Sequence, residues 1–253
     1  MSWAVVTGAS SGIGREIAKN LADRGYNLVL AARRTERLQE LSLTFGTEVE
    51  ILGIDLSKEE NVLSLYDRCK DKDVEILVNN AGFGTFGEFS KTELSKDLDM
   101  IALNIEAVHI LTKLFLRDFI KKDKGRILNV ASAAGFMPSG PLLSTYYATK
   151  HYVLTLGQSI AKELKKSGSR VTVSTLCPGP VKTEFDSVAG VEFGAVGMEA
   201  KRVADIAVSG MLAGKIKIIP GFFIKAGRIF TKVLPDGVTA AFAYKFQKAK
   251  EQK

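Results

Sequence analysis

Thr7-Gly8-Ala9-Ser10-Ser11-Gly12-Ile13-Gly14 continues the apolar run Trp3-Ala4-Val5-Val6 and leads directly into a helical pattern over Gly12–Arg24. Glycines at such a turn let the backbone fold tightly and approach a ligand, and the positive end of the following helix suits a pyrophosphate. The spacing G-x-x-x-G-x-G holds one residue more than the commoner dinucleotide fingerprint. Because the turn lies between a first strand and a first helix, it points to a cofactor site rather than to an ordinary turn. Gly8, Ser10, Ser11, Gly12, Ile13 and Gly14 are therefore the first candidate binding residues.

Working outward, short β-branched runs alternate with longer helical stretches. Strands are expected at Trp3–Thr7, Asn27–Ala31, Val49–Ile54, Glu75–Asn79, Arg126–Ala131, Val171–Cys177 and Lys217–Pro220. Helices are expected near Gly12–Arg24, Thr35–Phe45, Lys58–Lys70, Leu94–Ile120, Ser144–Lys166 and Glu199–Ala213, each with apolar residues three and four apart. Runs such as Ile76-Leu77-Val78 and Ile127-Leu128-Asn129-Val130 read as strands buried on both faces. The expected fold is α/β: a doubly wound, seven-stranded parallel sheet with helices on both faces, Rossmann-like and three-layered. Residues 1–253 are read as one dinucleotide-binding catalytic domain, with 184–213 as a substrate loop and helix. Residues 214–253 form the last strand and a C-terminal extension.

The end of the second strand selects between cofactors. A carboxylate there would bind the adenosine ribose 2′-hydroxyl, whereas a cation accommodates a 2′-phosphate. The sequence Ala31-Ala32-Arg33-Arg34 has no carboxylate, so NADP(H) is expected, with Arg33 as the phosphate partner and Arg34 as a second, solvated cation.

Further polar residues fall at the ends of later strands. They are Asp55, Asn79-Asn80-Ala81-Gly82, Ser132 and Pro178-Gly179-Pro180-Val181-Lys182-Thr183, with Asn104 and Tyr146-Tyr147-Ala148-Thr149-Lys150 on helices. In order and spacing this set resembles the short-chain dehydrogenase/reductase family from Val5 to about Pro220. The resemblance implies that Tyr146 is the catalytic acid/base, that Lys150 lowers its pKa and holds the nicotinamide ribose, that Ser132 orients the substrate oxygen, and that Asn104 supports a water-linked proton relay. It also implies cofactor contacts from Asp55, Asn80, Ala81, Gly82, Pro178, Gly179, Val181 and Thr183. Independently of the family, a phenol of pKa ~10 is a poor base near neutrality, and a cation one helical turn away favours its anion. Tyr146 and Lys150 have that spacing. Asp55 also reads as a cap before Ser57-Lys58-Glu59, and Tyr147 competes with Tyr146 on the wrong register for Lys150. Two departures stand out. Ser132 precedes Tyr146 by 14 positions where the family has 13, which reshapes the substrate wall, and Ser11 stands where many NADP-preferring members carry a basic residue.

Composition narrows the alternatives. The 253 residues are 46% hydrophobic and 25% charged, as in ordinary globular proteins, and no apolar run is long enough for a membrane span. The start lacks the pattern of an export signal, so a cytoplasmic location is expected. Cys69 and Cys177 are read as reduced, buried thiols, and His109 and His151 stand apart from other ligands, so no metal site is expected. The net charge of +7 resides in residues 215–253, where nine basic residues face Asp236 and Glu251. Residues 222–234 read as a basic amphipathic element that packs over the cleft or against another subunit; contact with an anionic membrane surface is the second reading. Nothing resembles a nucleic-acid recognition motif. Association into a homodimer or homotetramer is expected through the helices at Leu94–Ile120 and Ser144–Lys166. The apolar residues Phe136, Met137, Pro138, Leu142, Leu143 and Phe193 suggest an apolar small-molecule carbonyl or alcohol substrate. The alternative is a catalytically silent cofactor sensor or scaffold on the same fold.

Overall fold

Seven strands form one sheet, all parallel: β1 Trp3–Thr7, β2 Asn27–Ala32, β3 Val49–Gly53, β4 Val74–Asn79, β5 Arg126–Val130, β6 Thr172–Leu176 and, last in the chain, β9 Lys217–Ile218. Their order is β3-β2-β1-β4-β5-β6-β9, so the chain winds outward from β1 first in one direction and then in the other. The computed structural model describes residues 1–185, 197–221, 224–226 and 234–248. The expected basic element at 222–234 and the loop containing Phe193 fall mostly outside these.

Side chains alternate across a strand, and β1 shows the result on both faces. Ala4 and Val6 pack with Ile17 and Leu21 of α1 (Gly12–Ala22) and with Val203, Ala207 and Met211 of α7 (Ala200–Leu212). Trp3 and Val5 face the opposite layer, built from Val62 and Leu65 of α3 (Glu59–Cys69), Leu111, Phe115 and Phe119 of α5 (Ala107–Lys122), and Leu164 of α6 (Ser144–Lys166). Helix α2 (Thr35–Ser42) contributes Leu38 and Leu41 to the first of these cores.

The structure departs from the expected elements in three places. The single helix expected over Leu94–Ile120 is α4 (Leu94–Ile101) joined to α5 by a π-helical turn, Ala102–Glu106, which contains Asn104. Such widened turns shift the hydrogen-bond ladder and recur at functional positions. A small second sheet pairs β7 (Val181–Lys182) with β8 (Met198–Glu199) beyond the ends of the main strands. Finally, α8 (Asp236–Lys248) occupies the C-terminal extension, C-terminal to the segment expected to be amphipathic. The main strand ends, and hence the loops after them, stand where the sequence puts them.

Candidate active site

The loops after β1, β2, β3, β4, β5 and β6 border one cavity of about 580 Å³. At one end lies the turn from β1 into α1. Gly8 and Gly12 have φ of +65° and +57°, a region that side-chain-bearing residues rarely adopt. Gly14 is not at the cavity wall. It lies behind the turn, where an added Cβ would sit 2.3 Å from Asn80 Nδ2 and 2.5 Å from the Gly8 carbonyl oxygen. Asn80 fixes this arrangement: its side-chain amide donates to the Thr7 and Gly8 carbonyls at 3.0 and 3.1 Å. Thr7 Oγ1 meanwhile accepts the backbone N–H groups of Asn80 and Ala81 at 2.9 and 3.0 Å. Gly8, Ser10, Ser11, Gly12, Ile13, Asn80, Ala81 and Gly82 border the cavity.

Arg33 and Arg34 both line the cavity at the end of β2. The reading of Arg34 as a merely solvated cation is corrected. Its Nη2 donates to Ser11 Oγ at 2.9 Å and to Ser10 Oγ at 3.3 Å, and its Nη1 to Glu184 at 2.7 Å. The guanidinium thus reaches the glycine-rich turn and places a cation where Ser11 itself supplies none. Glu184 also bonds Arg37, a contact that no local pattern announced.

Asp55 lines the cavity and does not cap α3, whose N-cap is Lys58. Its carboxylate accepts the Ser57 N–H at 3.0 Å, turning the chain before α3. Burial would raise the Asp55 carboxyl, but the Ser57 N–H and hydroxyl and the charge of Arg33 outweigh it and hold it below the usual range. After β6, Pro178, Gly179, Val181 and Thr183 line the cavity, with the Thr183 methyl 3.0 Å from where a Gly12 Cβ would be.

At the other end, Ser132, Tyr146 and Lys150 share the wall. Ser132 caps a short 3₁₀ turn, Ala133–Phe136, by accepting the Ala134 N–H at 3.2 Å. Lys150, 5% exposed, donates from Nζ to the Val130 carbonyl at 3.1 Å, and its ammonium lies 5.7 Å from the centre of the Tyr146 ring. Burial pushes the Tyr146 phenol up to about 12, partly offset by a hydrogen bond with Ser132. Burial likewise pushes the Lys150 ammonium down to about 8. Loss of hydration is the largest influence on Tyr146, and the neighbouring Tyr147 adds to it.

Asn104 is fully buried and does not border the cavity. Its side chain accepts the Phe83 N–H at 3.1 Å and donates to the Phe83 carbonyl at 2.9 Å and to Thr149 Oγ1 at 3.1 Å. A Cβ on Gly82 would lie 2.7 Å from Asn104 Oδ1 and 3.3 Å from Lys150 Nζ, so these two polar groups flank the same glycine. The Tyr147 hydroxyl accepts Gln247 Nε2 of α8 at 2.9 Å. Sequence reasoning missed Phe185, Phe242, Ala243 and Gln247, all of which line the cavity. Leu142, in the lengthened wall between Ser132 and Tyr146, takes a left-handed φ of +67°. Among the described residues no group of His, Cys, Asp or Glu could hold a metal, and no helix is long and apolar enough to cross a membrane.

A glycine-lined turn at the first strand of a seven-stranded parallel sheet, opening onto a cleft at the strand ends, defines a dinucleotide-binding α/β protein. Residues 2–190 match the family model for the short chain dehydrogenases, and the chain belongs to that family. It is 34% identical over 256 residues to the hydroxysteroid dehydrogenase-like protein 1 of Gallus gallus, covering 96% of this chain and 75% of that one. It is 32% identical over 259 residues to the very-long-chain 3-oxoacyl-CoA reductase of Anas platyrhynchos, covering 98% and 80%. Among solved structures, a short-chain dehydrogenase from Sphingobium yanoikuyae in complex with NADPH superimposes with a TM-score of 0.82 at 30% identity, over 93% of this chain and 97% of that one. A short chain dehydrogenase/reductase from Burkholderia phymatum in complex with NAD also gives 0.82, at 26% identity over 90% and 92%. The chain is thus an oxidoreductase of the carbonyl/alcohol type, in a family that uses NAD(P)(H).

Proposed function

We propose that this protein is an NADP(H)-dependent reductase of ketones or aldehydes, reversible as an alcohol dehydrogenase, with Tyr146 as general acid/base. The observation that carries the reading is continuity. One cavity runs from the glycine-rich turn and two arginines to Ser132, Tyr146 and Lys150. The residues present suit a phosphorylated dinucleotide: glycines with positive φ at Gly8 and Gly12, which let the turn close against Ala81 and Thr183, and cations at Arg33 and Arg34 with no carboxylate at the end of β2. Gly8, Ser10, Ser11, Gly12 and Ile13 would line the pyrophosphate, with Gly14 and Asn80 holding the turn in shape. Asp55, Ala81, Gly82, Pro178, Gly179, Val181 and Thr183 would border the rest of the cofactor.

When bound, NADPH supplies the hydride and the protein supplies orientation and a proton. Ser132 and Tyr146 share the cavity wall and would offer hydroxyls to the substrate oxygen, where negative charge develops. With its pKa at about 12, Tyr146 carries its proton at neutral pH and is ready to give it up as the oxygen becomes basic. Lys150, still cationic below about 8, then stabilises the phenolate left behind. Asn104 ties the Phe83 backbone to Thr149 on α6, and so holds the floor under this pair. The walls formed by Met137, Leu143 and Phe185 favour an apolar substrate.

The test is a panel of ketones and aldehydes with NADPH consumption followed by absorbance, repeated with NADH and with Tyr146→Phe. Turnover with NADPH is expected, reduced ~10²–10⁴-fold in the variant. Wild-type turnover by Tyr146→Phe would overturn the mechanism. Tight NADPH binding without turnover of any carbonyl would point instead to the silent sensor.

A further inference from the structure

Tyr147 and Gln247 meet at the cavity wall, and neither takes part in the proton chemistry described above. Gln247 is carried on α8 and is 3% exposed. Its Nε2 donates to the Tyr147 hydroxyl oxygen at 2.9 Å, while its Oε1 is buried and has no hydrogen-bond partner among the described residues. A buried acceptor without a partner is destabilising and is retained in few places. Both residues border the same cavity as Tyr146 and Ser132. The nearby wall is apolar, from Leu143 on one side to Phe242 and Ala243 of α8 on the other.

The Tyr147 ring is held firmly. An added Cβ on Gly140 would lie 2.1 Å from it, so the backbone packs directly on the ring. Burial raises the Tyr147 phenol above its ordinary value, outweighing the lowering by the Gln247 hydrogen bond, so it stays protonated and neutral. Its oxygen accepts from Gln247, which leaves its own O–H free to donate elsewhere. The pair therefore offers two donors, the Tyr147 O–H and the second Nε2 N–H, and one acceptor, Oε1, all uncharged. Exchanging the amide oxygen and nitrogen of Gln247 moves both donors to Gln247 and the acceptor to Tyr147, and keeps the same tally.

A hydroxyl satisfies such a pair, because it donates and accepts through one atom. A methyl group leaves all three unpaired, and a carboxylate brings charge without a donor for Oε1. We propose that Tyr147 and Gln247 form a hydroxyl-recognising subsite, making the preferred substrate a largely apolar carbonyl compound with a second oxygen, an alcohol, away from the reacting carbon. The carbonyl part of this statement rests on the reductase reading of Tyr146. The alcohol part rests on the Tyr147–Gln247 pair alone.

Matched ketones test it, each pair differing only by hydroxyl against methyl at increasing distance from the carbonyl. Binding is measured calorimetrically to the full-length protein with NADP⁺, which cannot reduce them, and turnover is measured separately with NADPH. At the best-fitting distance the hydroxylated ketone is expected to bind about tenfold more tightly than its twin, the scale of one satisfied buried hydrogen bond. In Gln247→Leu and, separately, in Tyr147→Phe the hydroxyl preference should fall towards unity through KM. Equal binding of the twins to wild type at every distance, or a preference that survives both substitutions, would overturn the subsite whether or not NADPH is consumed. A hydroxyl preference in binding with no turnover of any ketone would overturn the reductase reading and leave the subsite standing.

Discussion

At Lys150 a buried ammonium holds one carbonyl, and burial lowers its pKa from 10.5 to about 8. Below about 8 the group is charged in both folded and unfolded chains, and its burial costs about 3 kcal/mol at 1.36 kcal/mol per unit. Between about 8 and 10.5 the folded protein has released the proton while the unfolded chain keeps it, so stability rises with pH. Tyr146 has the opposite sign: raised to about 12, it contributes stability below about 10 that is lost as pH climbs through 12. Lys150→Met keeps the Tyr146 contribution and removes the other. Urea midpoints from pH ~8 to ~10 should therefore show wild type gaining ~2 kcal/mol relative to the variant. Parallel curves would mean that the ammonium is better solvated than its surroundings indicate. The Tyr-x-x-x-Lys spacing was legible because a helix brings residues four apart onto one face. The direction of the Tyr146 shift was not, since it depends on how much water the finished cleft removes. Asn104 was legible as a functional candidate through family resemblance, but its bonds to Phe83 and Thr149 belong to a π turn that continuous apolar periodicity over 94–120 conceals.

Between elements, the carboxylate of Glu184, just after β7, bridges Arg34 at the start of α2 and Arg37 within it. These side chains are nearly half exposed, and ion pairs in that setting are worth about 0–1 kcal/mol. A 2′-phosphate arriving at Arg34 would compete with this carboxylate on nearly equal terms. Glu184→Gln is expected to lower the dissociation constant for NADPH by about two- to fivefold, the scale of one exposed pair, and to leave NADH unchanged. Fluorescence titration with the two cofactors measures both, and equal effects on the two would show that Glu184 acts on the turn rather than on the phosphate. The alternation of β-branched runs with three- and four-spaced apolar residues made the sheet and six of its covering helices readable, because each pattern follows from burial on one face or both. Contacts that close the site from afar have no such local signature. Arg34 meets Glu184 across 150 positions and Tyr147 meets Gln247 across 100, and α8 lies beyond the segment that the charge pattern emphasised.

For the whole molecule, the outer surface of α4 to α6 is more apolar than a solvent-facing surface requires. Leu94 and Leu98 are 72% and 55% exposed on α4. Tyr152 of α6 is also exposed, and its hydroxyl lies 2.6 Å from His109 Nδ1 of α5. A polar clasp between two helices and exposed leucines on a third fit a surface covered by a second copy, since a self-complementary patch needs apolar area and fixed polar partners. Light scattering is expected to give a mass of at least about twice 27.4 kDa. Leu98→Glu combined with Tyr152→Glu should shift it to a single chain, because introduced carboxylates would face each other across a two-fold contact. A wild-type species of 27.4 kDa alone would remove the assembly. The same helix α6 carries Tyr146 and Lys150 near its start and Tyr152 two residues beyond Lys150. If the second copy steadies α6, the dissociated variant should lose kcat while its NADPH affinity, set at the far end of the cleft by β1, α1 and Arg34, stays the same. A variant that dissociates and keeps its kcat would show that one chain holds its proton donor in place unaided.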